Sequence, residues 1–370
     1  MNQMLDSILQ HLAALVSFDT RNPPRAIGAD GILDYLRAQL PDFELDLRDH
    51  GDGAVSLLAV RGTPTRLFNV HLDTVPDSPA WTADPHTLRV TDDRAIGLGA
   101  CDIKGAAACL LAAARTVPGD AAFLFSSDEE ANDARCIDAF LKTSHGFGEV
   151  LVAEPTRCEA VLAHRGISAA QLKFQGEAGH ASAAGALEAS ALHQAMRWGA
   201  RALDFVESES HRRFGGLTGL RFNIGRVEGG IKANVIAPEA EVRFGFRPLP
   251  SQDIDALHRR FSGLARPGAL ERYAETFRGP PLPGGDVAEA EDRRLAARDL
   301  ADALALPIGN AVDFWTEASL FSHAGLTAIV YGPGDIAQAH SADEWVALAQ
   351  LQTYAESVQR IIAADRPQPW

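Results

Sequence analysis

The stretch FLFSSDEEAND, Phe123 to Asp133, runs from a short apolar segment straight into three adjacent carboxylates, Asp128, Glu129 and Glu130. An apolar run of this length bounded by a turn signal reads as a buried strand. Three neighbouring negative charges repel each other, so the end of that strand is either a solvated turn or a place that holds something positive. The flanking sequence repeats the theme. Strands are expected over 43–47, 55–61 and 67–72 and again at 150–153, and helices over 4–18, 31–40, 104–116 and 134–143. This alternation predicts the α/β class: a helix-flanked, largely parallel sheet.

From residue 166 the pattern changes. ISAAQLKFQG, LRFNIGRVEGG, ANVIAPE and AEVRFGFRPL alternate polar and apolar residues, as half-buried antiparallel strands do. Helices over 187–207 and 251–264 interrupt them. RGPPLPGG, starting at Arg278, reads as a Pro/Gly-rich hinge, after which a helix over 292–305, a strand over 327–330 and a final helix over 343–363 resume the first pattern. The expected layout is a catalytic domain in two pieces, 1–165 and 281–370, with an inserted α+β lid over 166–280. Such a chain, 370 residues long, exceeds one typical core.

Composition narrows the function. Apolar residues make up 46% and charged residues 22%, with a net charge of −15. No basic patch is available to displace counterions from a nucleic acid. No stretch approaches the roughly 20 apolar residues of a membrane span, and the N-terminal segment reads as an amphipathic helix, not a leader. The four cysteines lack CxxC spacing, so neither a disulfide framework nor a zinc ribbon is indicated and a reducing cytoplasm is expected.

Five motifs carry the chemistry. In VHLDTVP, His71 and Asp73 stand two residues apart at a strand end, where a ring nitrogen can bind a metal while an aspartate fixes the other; a polar strand end is the bland alternative. In GLGACDIKG, Asp102 is a helix cap or a ligand. In SSDEE, one glutamate can coordinate while its neighbour moves a proton. AEPT puts Glu154 after another apolar strand, and GPGDIAQAH puts His340 in a glycine-rich loop. Singly each is weak. Together they sit beyond strand ends, where an open α/β sheet binds ligands, and two imidazoles with three carboxylates suit a pair of divalent ions about 3.5–4 Å apart.

In order and spacing these motifs resemble the di-zinc aminoacylase and deacylase family, which includes acetylornithine deacetylase, succinyl-diaminopimelate desuccinylase and carboxypeptidase G. WTEASLF and GPGDIAQAH are most similar to the acetylornithine deacetylase branch. The resemblance implies that Asp102 bridges two metals, with His71 and Glu154 completing one site and Glu130 and His340 the other. It makes Glu129 the general base, Asp73 the residue orienting His71, and His180, in GEAGHASA, an oxyanion donor reaching a neighbouring subunit, hence a homodimer through the lid. It also implies a cis peptide after Asp102. The expected cofactors are two divalent ions, zinc or cobalt, since N/O ligands accept both.

The implied reaction is hydrolysis of the acetyl amide of an Nα-acetyl amino acid, a small-molecule substrate, with acetylated citrulline favoured over acetylated ornithine. A desuccinylase, a dipeptidase and a non-catalytic binding protein are the alternatives. Arg247, in GFRPLP, can grip an α-carboxylate bidentately, with Asn234 as polar support. Lys232 is a second candidate, although a lysine there is usually only solvated. Glu317 either faces the substrate side chain or starts a helix.

Overall fold

The computed structural model describes residues 3–131 and 133–364, and the chain divides into two compact units. The first comprises the residues up to Leu162, Asp292–Asn310 and those from Thr316 onward; the second comprises Ala163–Glu291 and Ala311–Trp315.

The first unit is built on a six-stranded sheet in the order Glu44–Asp49, Val55–Arg61, Ala121–Ser126, Arg66–His71, Glu149–Val152, Thr327–Val330. Its last four strands are mutually parallel, and the first two pair antiparallel. Every residue of Arg66–His71 and Ala121–Ser126 is buried, which is why both read as unbroken apolar runs rather than alternations. The helix Lys104–Thr116 is buried from Lys104 to Ala114. Its alanines let Gln3–Val16 and Leu348–Ala364 pack closely against it. The parallel register sets His71 beside Ser126, so the loops leaving these two strands emerge side by side at the carboxyl edge of the sheet.

The second unit carries a four-stranded antiparallel sheet in the order Arg221–Gly229, Glu239–Arg247, Ile167–Gln175, Leu270–Gly279. Alternate residues of the inner strands are buried against Trp198 of the helix Ala191–Ser208 and Phe261 of the helix Ile254–Gly263. The Trp198 indole N–H donates to the Phe261 carbonyl at 2.8 Å.

The expected α/β sheet is present, with four local differences. The strand Leu270–Gly279 was not foreseen, because its sequence LERYAETFRG is studded with charges and two bulges break its alternation. The Pro/Gly-rich segment is no exposed hinge: Leu282 pairs with His164 through both backbone bonds, and residues 281–284 are buried. Contacts therefore change at 291/292 and at 162/163. The helix expected over 187–207 is broken at Ser190, whose hydroxyl accepts from His193 N–H and caps Ala191–Ser208. The last helix begins at Leu348, since Trp345–Ala347 forms a strand with Arg94–Ile96.

Trp198 is fully buried, so Trp198→Ala should destabilise the protein by about 3–5 kcal/mol. Urea unfolding measures this; a loss below about 1 kcal/mol, the size of a surface change, would contradict the packing described.

Candidate metal centre

Asp102 lies at the centre of the site. Its Oδ1 is 3.1 Å from His71 Nε2 and its Oδ2 is 3.3 Å from His340 Nε2. Glu154 Oε1 lies 3.8 Å from His71 Nε2, and Glu130 Oε1 lies 3.0 Å from His340 Nε2. His71, Asp102 and Glu154 thus form one group of ligand atoms within 4.8 Å of each other, and Asp102, Glu130 and His340 form a second. Residues separated by up to 269 positions in sequence meet because each leaves a strand end or an adjoining loop of the first unit.

Backbone features fix these positions. Asp102 follows a tight turn in which Gly99 adopts φ +77°, and a Cβ there would meet Thr74 Cγ2 at 2.7 Å. The peptide after Asp102 is cis, as the resemblance implied. Gly332 lies against Glu154: an added Cβ would sit 2.5 Å from the Glu154 carbonyl oxygen and 2.9 Å from its nitrogen. His340 itself has φ +55°, a conformation uncommon outside glycine.

Asp73 does more than was expected of it. His71 Nδ1 is 3.1 Å from the Asp73 main-chain oxygen and 3.5 Å from its Oδ1. Asp73 Oδ2 accepts from Asn22 Nδ2 at 3.0 Å and from the Glu130 backbone N–H at 2.9 Å. One buried carboxylate therefore steadies both a histidine and the acidic loop.

The electrostatics call for cations. Burial opposes protonation of His71, but hydrogen bonds to Asp102 and Asp73 and the charge of Glu154 push it well above its ordinary value. His340 is pushed up to about 11 by its bonds to Asp102 and Glu130. Burial resists ionisation of Asp102, and His340 and His71 overcome it, holding that carboxyl well below the usual range. Burial and the charge of Asp102 drive Glu154 the opposite way, well above it. Glu154 Oε1 is buried without a hydrogen-bond partner. An orphaned carboxylate oxygen, two imidazole nitrogens and a shared aspartate are a donor set that fits two divalent ions.

Glu129 stands beside Glu130 on the same loop, and burial, together with Glu130, Glu317 and Asp102, raises its carboxyl well above the normal range against the pull of His71. Asp128 is a structural cap: its Oδ2 accepts from Cys136 N–H at 3.0 Å and its carbonyl from Asp133 N–H at 3.1 Å. Glu317 is buried at the start of Ala318–His323, where Oε2 accepts from the Ser126 hydroxyl at 2.9 Å. Burial raises its carboxyl to about 8.

The remaining candidates belong to the second unit. His180 is exposed in a short strand paired with Val235–Ile236. Ser182 N–H donates to its Nδ1 at 3.2 Å, which leaves the ring proton on Nε2. The Asn234 carbonyl accepts from Ala181 N–H at 3.1 Å. Arg247 lines an open groove of about 380 Å³ with Arg221, Arg243 and Phe246. Lys232 lines another of about 490 Å³ with Ile231 and His193.

Sequence reasoning missed Asn22 and Glu344. Glu344 accepts from the backbone N–H groups of Gly99, Cys101 and Asp102; its only sequence signal is a place four residues after His340. Gly332→Ala should weaken zinc binding to the metal-free protein about 10–100-fold at one site or both, the range seen when ligand supports are lost. Unchanged affinity by calorimetric titration would contradict the close approach to Glu154.

Comparison with known proteins places the chain in a family. The description "Peptidase family M20/M25/M40" matches residues 67–364. The chain is 72% identical over 363 residues to an N-acetyl-L-citrulline deacetylase from Xanthomonas campestris pv. campestris, covering 98% of this chain and 99% of the relative. It is 29% identical over 303 residues to an acetylornithine deacetylase from Pectobacterium atrosepticum, covering 79% and 78%. The fold matches aminopeptidase PepT from Bacillus cereus with a TM-score of 0.75 at 18% identity, over 97% of this chain and 98% of that one. It also matches a dinuclear metal-binding M20 peptidase from Bacillus subtilis, with a TM-score of 0.66 at 12% identity over 98% and 99%. The chain belongs to peptidase family M20/M25/M40.

Proposed function

We propose that the protein is a metal-dependent amidohydrolase that converts N-acetyl-L-citrulline and water to citrulline and acetate, a cytoplasmic step of arginine biosynthesis. The observation that carries the chemistry is Asp102, shared between two three-ligand groups with Glu129 on the adjoining loop. The substrate rests on the 72% identity to the N-acetyl-L-citrulline deacetylase over nearly the whole of both chains. Four free, buried cysteines suit a reducing compartment.

His71, Asp102 and Glu154 would hold one divalent ion, and Asp102, Glu130 and His340 the other, zinc or cobalt. When bound, such a pair supplies Lewis acidity toward a carbonyl and toward a water. Glu129 takes the proton of the attacking water as the C–O bond forms. It then gives that proton to the leaving nitrogen as the C–N bond breaks, so acetate and a free amine result. A carboxyl with a raised affinity for protons is suited to both halves of this transfer. His180, with its proton on Nε2, is the donor for the oxyanion, offered to a neighbouring subunit. Asp73 holds His71 in register with Glu130.

Arg247 is assigned to the substrate α-carboxylate, with Asn234 as polar support and Lys232 as the second candidate for the same role. Glu317 is assigned to the side-chain end. The homodimer is assigned to the second unit. Its strand Arg221–Gly229 is an unpaired sheet edge, and Met196, Leu203 and Val227 are exposed around it, a surface that edge pairing would cover.

Glu129→Gln should keep two metal equivalents while kcat falls about 100- to 10,000-fold; wild-type turnover would remove the base. In kcat/KM, N-acetyl-L-citrulline should exceed N-acetyl-L-ornithine, N-succinyl amino acids and dipeptides. The reverse order for the two acetylated substrates would reassign the enzyme to ornithine. Sedimentation should show a two-chain particle that Val227→Lys drives toward monomer.

A further inference from the structure

Glu344 is buried and accepts from backbone N–H groups, and it connects the two loops on which the metal centre depends. Its Oε2 accepts from Gly99 N–H at 3.0 Å, and its Oε1 accepts from Cys101 N–H at 2.8 Å and Asp102 N–H at 2.9 Å. Three backbone donors of one turn converge on a single carboxylate, a concave anion cradle of the kind made by successive main-chain N–H groups. The third donor belongs to Asp102 itself.

The same residue ends the strap that carries His340. Its carbonyl accepts from Gly97 N–H at 3.0 Å, and Trp345 then enters the strand paired with Arg94–Ile96. One residue before Glu344, Asp343 accepts from Thr82 Oγ1 at 2.9 Å and from Arg89 Nη2 at 2.6 Å. The strap therefore has a polar anchor at each of its last two residues. His340 stands four positions before Glu344 and reaches Asp102 Oδ2 at 3.3 Å.

We propose that Glu344 is a positioning residue for the metal pair: its carboxylate locks the Gly99–Asp102 turn to the His340 strap, fixing the separation between the shared aspartate and the second histidine. The inference rests on the metal-centre reading above and adds a residue to it. Only a carboxylate satisfies all three donors with two oxygens. A glutamine offers one acceptor oxygen, and its NH₂ faces a backbone N–H head-on. Substitution leaves the donors buried and unpaired, and the turn rearranges to find other partners. The lost order appears in the ligands and not in the base, since Glu129 lies on a different loop held by Asp73.

The test titrates metal-free wild type, Glu344→Gln and Glu344→Asp with zinc by calorimetry and with cobalt by visible absorption, and records thermal unfolding of each metal-free protein. Wild type should take up two ions. Glu344→Gln should unfold within a few degrees of wild type but bind zinc about 10–100-fold more weakly, with altered cobalt bands. Glu344→Asp, which retains the charge on a shorter arm, should fall between the two. Turnover at saturating metal should recover most of kcat, with KM little moved. Wild-type affinities and bands in both variants would overturn the proposal. So would metal-free variants that are both unfolded where wild type is folded, because Glu344 would then be a folding residue alone. A wild type that takes up no metal pair would instead overturn the reading of the site itself.

Discussion

The structure depends on one shared carboxylate. Asp102 gives one oxygen to the His71 side and the other to the His340 side, and each side adds one glutamate. With Glu129, four carboxylates meet two imidazoles in a space that is buried around His71, Asp102 and Glu154 and open at His340. Like charges at this spacing cannot all ionise without compensation. The opposed shifts of Asp102 and Glu154 express that conflict. A pair of divalent cations would resolve it and would give the orphaned Glu154 oxygen a partner.

The scaffold is arranged to hold this arrangement in place. Parallel strands deliver His71 and the acidic loop side by side, and Asp73 ties the two together by accepting from the Glu130 backbone. Two glycines allow close approaches as well: Gly332 against the Glu154 backbone, and Gly334 against the Cys101 sulfur. Glu344 closes the ring between the Asp102 turn and the His340 strap. Ligand geometry thus follows from hydrogen-bonded turns on a rigid sheet, the construction expected when ligands must be held to within a fraction of an ångström.

Much of this was legible in the sequence. The buried parallel strands announced themselves as apolar runs, and the candidate ligands stood at or beyond strand ends, so the fold class and the meeting of these residues could both be anticipated. What was not legible depended on long-range pairing. LERYAETFRG hid a strand because an edge strand with bulges carries charge on both faces. The segment RGPPLPGG looked like a hinge because glycine and proline punctuate buried corners as readily as exposed ones; its pairing with His164 lies 118 positions away in sequence. Glu344 was absorbed into the expected final helix, and nothing local distinguishes a carboxylate that caps a distant turn from one that faces water. Asn22 was silent for the same reason: its partner, Asp73, is 51 residues away.

The account's central claim is that Asp102 bridges two metal ions, and anomalous diffraction from crystals of the zinc-loaded protein tests it most directly. Data at the zinc edge should show two peaks about 3.5–4 Å apart, one within bonding distance of His71 and Glu154 and the other of Glu130 and His340, with Asp102 between them. A single peak, or a pair that does not share Asp102, would contradict the account.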